Sequence, residues 1–240
     1  MKHAYEYIVV GCGGLGSAAA YRLAREAGGE VLALEQFRLG HDNGASQDHS
    51  RIIRLSYHDP IYTALTPHTY TAWGEVEEES GVQLVVKTGG LDLAAPGIES
   101  IDNYATSMTA AGFPFEDLSS DEAMRRWPQW RLEDGDRVLY QADAGLVDAR
   151  KANATHIALA RAHGATILDN MPVREINAND AGVQVVTDDA IFQAGKLIVA
   201  ADAWTNQVLA GVGYAMPLTI TQEQVTFWAT PHLRQFAPDS

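Results

Sequence analysis

Three groups of residues in this chain have types and spacings that can do chemistry. The first is Gly11-Cys12-Gly13-Gly14-Leu15-Gly16, preceded by the apolar run Tyr7 to Val10 and followed by Ser17 to Ala27, rich in Ala, Leu, Arg and Glu. A buried strand, a glycine turn and a helix in that order suit the pyrophosphate of a dinucleotide. Gly11 permits the tight turn, Gly13 lets the backbone approach the phosphates, and Gly16 lets the helix pack on the strand. The helix then offers unpaired N–H groups and the positive end of its dipole. The second is Glu35, closing the run Val31 to Leu34, where a carboxylate can accept hydrogen bonds from a ribose diol. The third is Ser50-Arg51-Ile52-Ile53-Arg54. Its apolar pair favours burial and draws the guanidiniums inward, where they require an anion. A protein carboxylate can supply it, as in structural ion pairs. A bound phosphate or a substrate carboxylate can do so as well, matching arginine's bidentate fork.

These groups need elements to position them. The pattern predicts strands over Tyr5–Val10 and Glu30–Glu35, a helix over Gly14–Ala27 between them, and a long polar loop over Gln36–Ser56. A helix is expected to begin near Thr66, with Thr66 as N-cap and Pro67 in its first turn, and to stop at Gly81. Val82 to Ala94 reads as two short strands of an antiparallel sheet, Ser100–Ala111 as a helix, and Ser119-Ser120-Asp121-Glu122 as a capping box. Asp148–His163 reads as a helix. Short strands follow over Thr166–Leu168, Val173–Ile176, Val183–Thr187, Ala190–Gln193 and Leu197–Ala201, and the pattern is β-like again from Pro217. The order βαβ, mixed antiparallel, then αβββ implies a nucleotide domain interrupted by a second, sheet-containing domain. The expected division is 1–83 and 145–213 for the first and 84–144 and 214–240 for the second.

Composition excludes several function classes. The 240 residues are enough for a real core, and 46% hydrophobic and 20% charged residues are ordinary for a globular protein. A net charge of −14 opposes nucleic acid and anionic membrane surfaces as partners. No apolar run approaches the ~18 residues of a membrane span. One cysteine excludes an internal disulfide framework and fits a reducing cytoplasm, the expected location. The eight histidines lack metal-ligand spacing, so no metal is expected. Cys12 reads as a small packed thiol, His49 as a surface residue, and Trp127, Trp130, Trp204 and Trp228 as core or domain-interface residues.

Taken together, Gly11 to Gly16, Glu35, Gly44 to Arg54, Lys87 to Gly90, Arg126-Trp127-Pro128 and Lys196 to Trp204 resemble the sarcosine oxidase, N-methyltryptophan oxidase and pipecolate oxidase group. These are flavoprotein amine oxidases with a glutathione-reductase-like fold, and the Ser-Arg-Ile-Ile-Arg block is the most specific part of the match. The resemblance implies FAD, held in a glutathione-reductase-like βαβ domain with an interrupting α+β substrate domain, here C-terminally truncated. Gly11, Gly13, Gly14 and Gly16 would line the pyrophosphate, Glu35 and Gln36 the adenosine end, and Ser46, Ser50 and Arg51 the flavin side. Val173 would contact adenine, and Ala201 and Trp204 would supply a second strand-end contact. Asp202 stands where the family has glycine, and Gln47, Asp48 and His49 depart from its usual loop. Arg51 would sit close to the flavin and Arg54 would hold the substrate carboxylate.

The implied reaction oxidises a secondary or cyclic amino acid to an imine, with dioxygen reduced to hydrogen peroxide. A small carboxylated amine and dioxygen are then the expected partners, with a second chain or a further C-terminal segment completing the site. A non-catalytic dinucleotide-binding fragment or subunit, and an NAD-linked dehydrogenase, are the other readings.

Overall fold

The computed structural model describes residues 2–46 and 48–238. In chain order the first elements are β1 (Ala4–Val10), α1 (Gly14–Ala27), β2 (Val31–Leu34), β3 (Arg51–Ile53) and α2 (Pro60–Ser80). Next come β4 (Val85–Lys87), β5 (Gly90–Ala94), α3 (Glu99–Ala111), β6 (Glu116–Ser119), α4 (Ser120–Arg126), β7 (Arg137–Gln141) and β8 (Gly145–Val147). The last are α5 (Ala149–Ala162), β9 (Thr166–Leu168), β10 (Val173–Asn179), β11 (Gly182–Thr187), β12 (Ile191–Val199) and α6 (Thr205–Leu209). They form two compact units, residues 1–49 with 148–224 and residues 50–147 with 225–240.

The first unit is built on a six-stranded sheet of order β10-β11-β12-β1-β2-β9. β12, β1, β2 and β9 run parallel, while β10, β11 and β12 form an antiparallel meander. Every residue of β2 is buried, as expected of a parallel strand covered on both faces. Tyr5, Ile8, Val10, Leu32, Leu34, Val185 and Phe192 share one core cluster. Two strands expected over Ala190–Gln193 and Leu197–Ala201 are in fact one, β12, because its pairing with β1 keeps a single register from Gln193 to Val199.

In the second unit, β3-β8-β4 and β5-β7-β6 are separate three-stranded antiparallel sheets. β4 and β5 were expected to share a sheet, but Gly89, at φ +73°, turns the chain between them. Residues 50–83, grouped with the nucleotide domain in the sequence reading, cluster in this unit, because β3 pairs with β8 and α2 packs on α3. Ile52 is 69% exposed while Ile53 is buried. A strand sends alternate side chains to opposite faces, so the apolar pair is not buried together.

α2 starts about two turns earlier than the Thr66–Pro67 signal suggests. Asp59 is the N-cap, accepting the Ile61 N–H at 2.8 Å, and Pro60 occupies the first turn. Pro67 lies inside the helix and cannot donate to Thr63 O. The Thr66 hydroxyl donates to that carbonyl instead, at 2.7 Å. Ser119 accepts the Glu122 N–H and caps α4 as the sequence pattern indicates.

Residues 214–230 form neither helix nor strand, against the β-like pattern expected from Pro217. Leu218, Ile220, Val225, Phe227 and Trp228 are exposed, Trp228 at 81% rather than in a core. An alternating segment becomes a strand only when a neighbour pairs its backbone. Here the Asn206 side chain pairs one residue of the segment, donating to Met216 O and accepting the Met216 N–H.

Candidate cofactor cradle and carboxylate site

In the first unit the glycine turn is fixed by its neighbours on both sides. The Gly11 N–H donates to Leu34 O, and the Ala200 N–H donates to Val10 O, each at 2.8 Å. Gly11 has φ +95°, and a Cβ there would fall 2.3 Å from the Ala200 carbonyl oxygen. A Cβ on Gly16 would fall 1.8 Å from Gly11 O, so α1 can meet β1 only through hydrogen. A Cβ on Gly13 would lie 2.9 Å from Ser46 Oγ. That hydroxyl accepts the Gly14 N–H at 2.7 Å. An oxygen thus already receives an amide at the exposed start of α1, which is the chemistry an anionic phosphate oxygen would use.

Glu35 is buried at the end of β2. Its Oε2 accepts the Cys12 N–H at 2.9 Å, its Oε1 accepts the Phe37 N–H at 3.0 Å, and His41 Nε2 lies 3.3 Å from Oε1. The carboxylate therefore ties the turn to the strand end, and Oε2 retains a further lone-pair direction. Gln36 follows, half-buried. The Met171 N–H donates to Glu35 O and the Asn170 N–H to Phe37 O, which brings the start of β10, at Val173, to the same end of the sheet. Trp204 contacts Phe37 edge-on at 5.4 Å, and Phe37 contacts His41 at 4.8 Å.

Burial, with the Glu35 charge adding to it, pushes the Cys12 thiol up to about 12, so it is a packed group and not a nucleophile. Asp202 adopts φ +47°, a conformation that suits glycine. Its carboxylate accepts the Ala45 N–H at 2.8 Å and so fastens the loop that carries Ser46. Asn153 of α5 was not singled out from sequence. Its Nδ2 donates to Cys12 O at 2.9 Å and Ser17 Oγ at 3.1 Å. The available signal was a poor helix former in mid-helix. Gln47 lies outside the described residues.

The second unit holds Ser50, Arg51 and Arg54. Arg51 is exposed at the start of β3, with Nη1 donating to Ser50 O at 2.8 Å. Arg54, just past β3, has 28% of its side chain exposed and pairs through Nη1 with Asp92 Oδ1 of β5 at 2.8 Å; the Asp92 side chain is 12% exposed. Asp92 Oδ2 accepts from Ser56 Oγ at 2.6 Å and from Gln141 Nε2 at 3.0 Å. Gln141 Oε1 in turn accepts the Leu55 N–H at 2.9 Å. The rings of Tyr57 and Tyr104 lie 5.2 and 5.3 Å from the guanidinium carbon. Burial works against the charged guanidinium, but Asp92 and then Tyr104 and Tyr57 outweigh it and hold Arg54 charged, above arginine's usual pKa. A protein carboxylate thus meets part of Arg54's need for an anion. Asp92, Gln141 and Tyr104 carried no spacing signal, since they come from separate elements.

A parallel βαβ unit with a glycine turn that excludes any Cβ, an acid at the end of its second strand and a helix start facing an oxygen defines a dinucleotide-binding protein. Fitting that geometry, the family model described as FAD dependent oxidoreductase matches residues 6–239. The chain belongs to this family, and its fold is the FAD-binding βαβ architecture with an interrupting α+β part.

It is 35% identical over 232 residues to the monomeric sarcosine oxidase of Streptomyces avermitilis, covering 96% of this chain and 59% of that protein. Identity to the human peroxisomal sarcosine oxidase is 34%, over 100% of this chain and 60% of that protein. Among solved structures it is similar to a variant of NikD, an unusual amino acid oxidase essential for nikkomycin biosynthesis. The TM-score is 0.81 at 29% identity, covering 88% of this chain and 55% of that one. The chain therefore spans about three fifths of the length of the curated relatives it matches. Among the described residues no helix is long and apolar enough to cross a membrane.

Proposed function

We propose that this chain supplies the cofactor cradle and the carboxylate anchor of an FAD-dependent oxidase acting on secondary or cyclic amino acids. The product is the imine, and dioxygen is reduced to hydrogen peroxide. The observation that carries the reading is Arg54, a charged and half-buried arginine beside a strand end in a chain whose relatives are sarcosine oxidases. Gly11, Gly13, Gly14 and Gly16 hold the pyrophosphate, with Glu35, Gln36 and Val173 at the adenosine end. Ser46, Ser50, Arg51, Ala201 and Trp204 serve the flavin side.

Bound FAD supplies the acceptor for the electrons of the C–H bond beside the substrate nitrogen. Arg54 orients that bond by gripping the carboxylate, a charge-assisted contact worth about 1.5–3 kcal/mol. Arg51 contributes positive charge where negative charge develops. The single, buried cysteine supports a cytoplasmic setting.

The test combines flavin absorbance with steady-state kinetics. The purified protein is expected to carry flavin bands, and Arg54→Ala to raise KM for carboxylated amines far more than for uncharged ones. Equal losses on both substrates remove the role of Arg54. A colourless protein that takes up neither FAD nor amine overturns the reading as a whole.

A further inference from the structure

A guanidinium has two edges able to grip a carboxylate in bidentate fashion, one formed by Nη1 with Nη2 and the other by Nε with Nη2. In Arg54 the first edge is taken, because Nη1 donates to Asp92. Among the described residues no carboxylate pairs with the second edge. Asp92 is itself held on its other oxygen by the Ser56 hydroxyl and the Gln141 amide, and it is more deeply buried than Arg54. Three donors converging on one carboxylate fix it in place. The pair therefore leaves the Nε/Nη2 edge without a carboxylate and has no net charge, with Tyr104 beside it as a neutral hydrogen-bonding side chain.

We propose that Asp92 is a positioning and charge-setting residue that makes this site selective for monocarboxylates. It does so by presenting only the Nε/Nη2 edge of Arg54 and by repelling a second substrate carboxylate. The proposal rests on the assignment of Arg54 as the carboxylate anchor. One bound carboxylate gives the Arg54–Asp92–substrate cluster a single net negative charge, and a second adds repulsion in a half-buried setting where Coulomb energies exceed those in water. Replacing Asp92 by a neutral side chain leaves the guanidinium with an unmet demand for anions.

The experiment is calorimetric titration of the FAD-loaded protein with sarcosine and with N-methyl-L-aspartate, for wild type, Asp92→Asn and Arg54→Ala. Asp92→Asn is expected to tighten sarcosine binding on the order of tenfold and to tighten the dicarboxylate more, so that the ratio of the two affinities shifts. A parallel loss of affinity for both ligands in Asp92→Asn overturns the proposal, since Asp92 would then only prop Arg54 up. Unchanged affinity for both in Arg54→Ala overturns the anchor assignment itself, a separate failure. Should Asp92→Asn not fold, Asp92→Leu makes the same change in charge with an apolar side chain suited to β5, and the same ratio is read.

Discussion

At Gly11 one hydrogen in place of a methyl decides whether the turn can lie against Ala200. The left-handed φ and the 2.3 Å approach act on the same atom, so neither can relax without the other. Gly11→Ala is expected to cost about 3 kcal/mol or more and to abolish FAD binding, read by chemical denaturation and by flavin titration. Unaltered affinity in the variant would show that the turn does not hold the cofactor. The positive φ at Gly11 and the contact of Gly16 with Gly11 O were legible in sequence because they come from backbone geometry within six residues, whereas the approach of Ala200 to Gly11 is set by the fold. Arg54 was half legible. Its need for an anion follows from its own chemistry, but Asp92 lies 38 positions away and reaches it only through folding. Ser46 at the start of α1 and Asn153 under the turn share that character, being long-range contacts made by residues with no local signature.

At the scale of elements, α2 shows how a local signal can be real and misplaced. Thr-Pro reads as a helix start, yet Asp59-Pro60 provides the same signal earlier with a better cap. The Thr66 hydroxyl then makes Pro67 tolerable by taking over the missing bond to Thr63 O. Thr66→Val is expected to destabilise by about 1–2 kcal/mol, because a buried carbonyl loses its donor. In a Pro67→Ala background, where residue 67 regains an N–H, the same change should cost much less. Urea denaturation of the four proteins in this double-mutant cycle measures the coupling, and simple additivity would show that the hydroxyl does not serve that carbonyl. Strand existence was read well where burial is continuous, as in β2 and over Ile8 to Val10 of β1. It failed over residues 217–230, because alternation encodes a readiness to pair and not the partner.

Across the molecule, pH acts through a histidine that no site uses. His156 of α5 stacks on Tyr21 at 5.8 Å, and burial, with Arg22 adding to it, lowers its pKa to about 4. The unfolded chain takes up this proton near pH 6.5, whereas the folded one does so only near 4. His156 therefore costs nothing above 6.5 and lowers stability progressively as pH falls from 6.5 to 4, by about 3 kcal/mol at the lower limit. His156→Phe keeps a ring against Tyr21 and should flatten that part of the pH–stability curve. Urea midpoints for both proteins across the window test this, and parallel curves would reject it. The interleaving of two units was visible in the order of elements, while the allotment of residues 50–83 depended on β3 finding β8. A similar long reach sets the timing of synthesis. β1 takes β2 as an early neighbour, but its other edge pairs Ala4 with Gln193 and Val10 with Val199. A ribosome adding about 10 residues per second leaves that apolar edge bare for roughly 20 s. Through that interval a nascent chain carries an open template for stray strands, which makes it a natural client for chaperones.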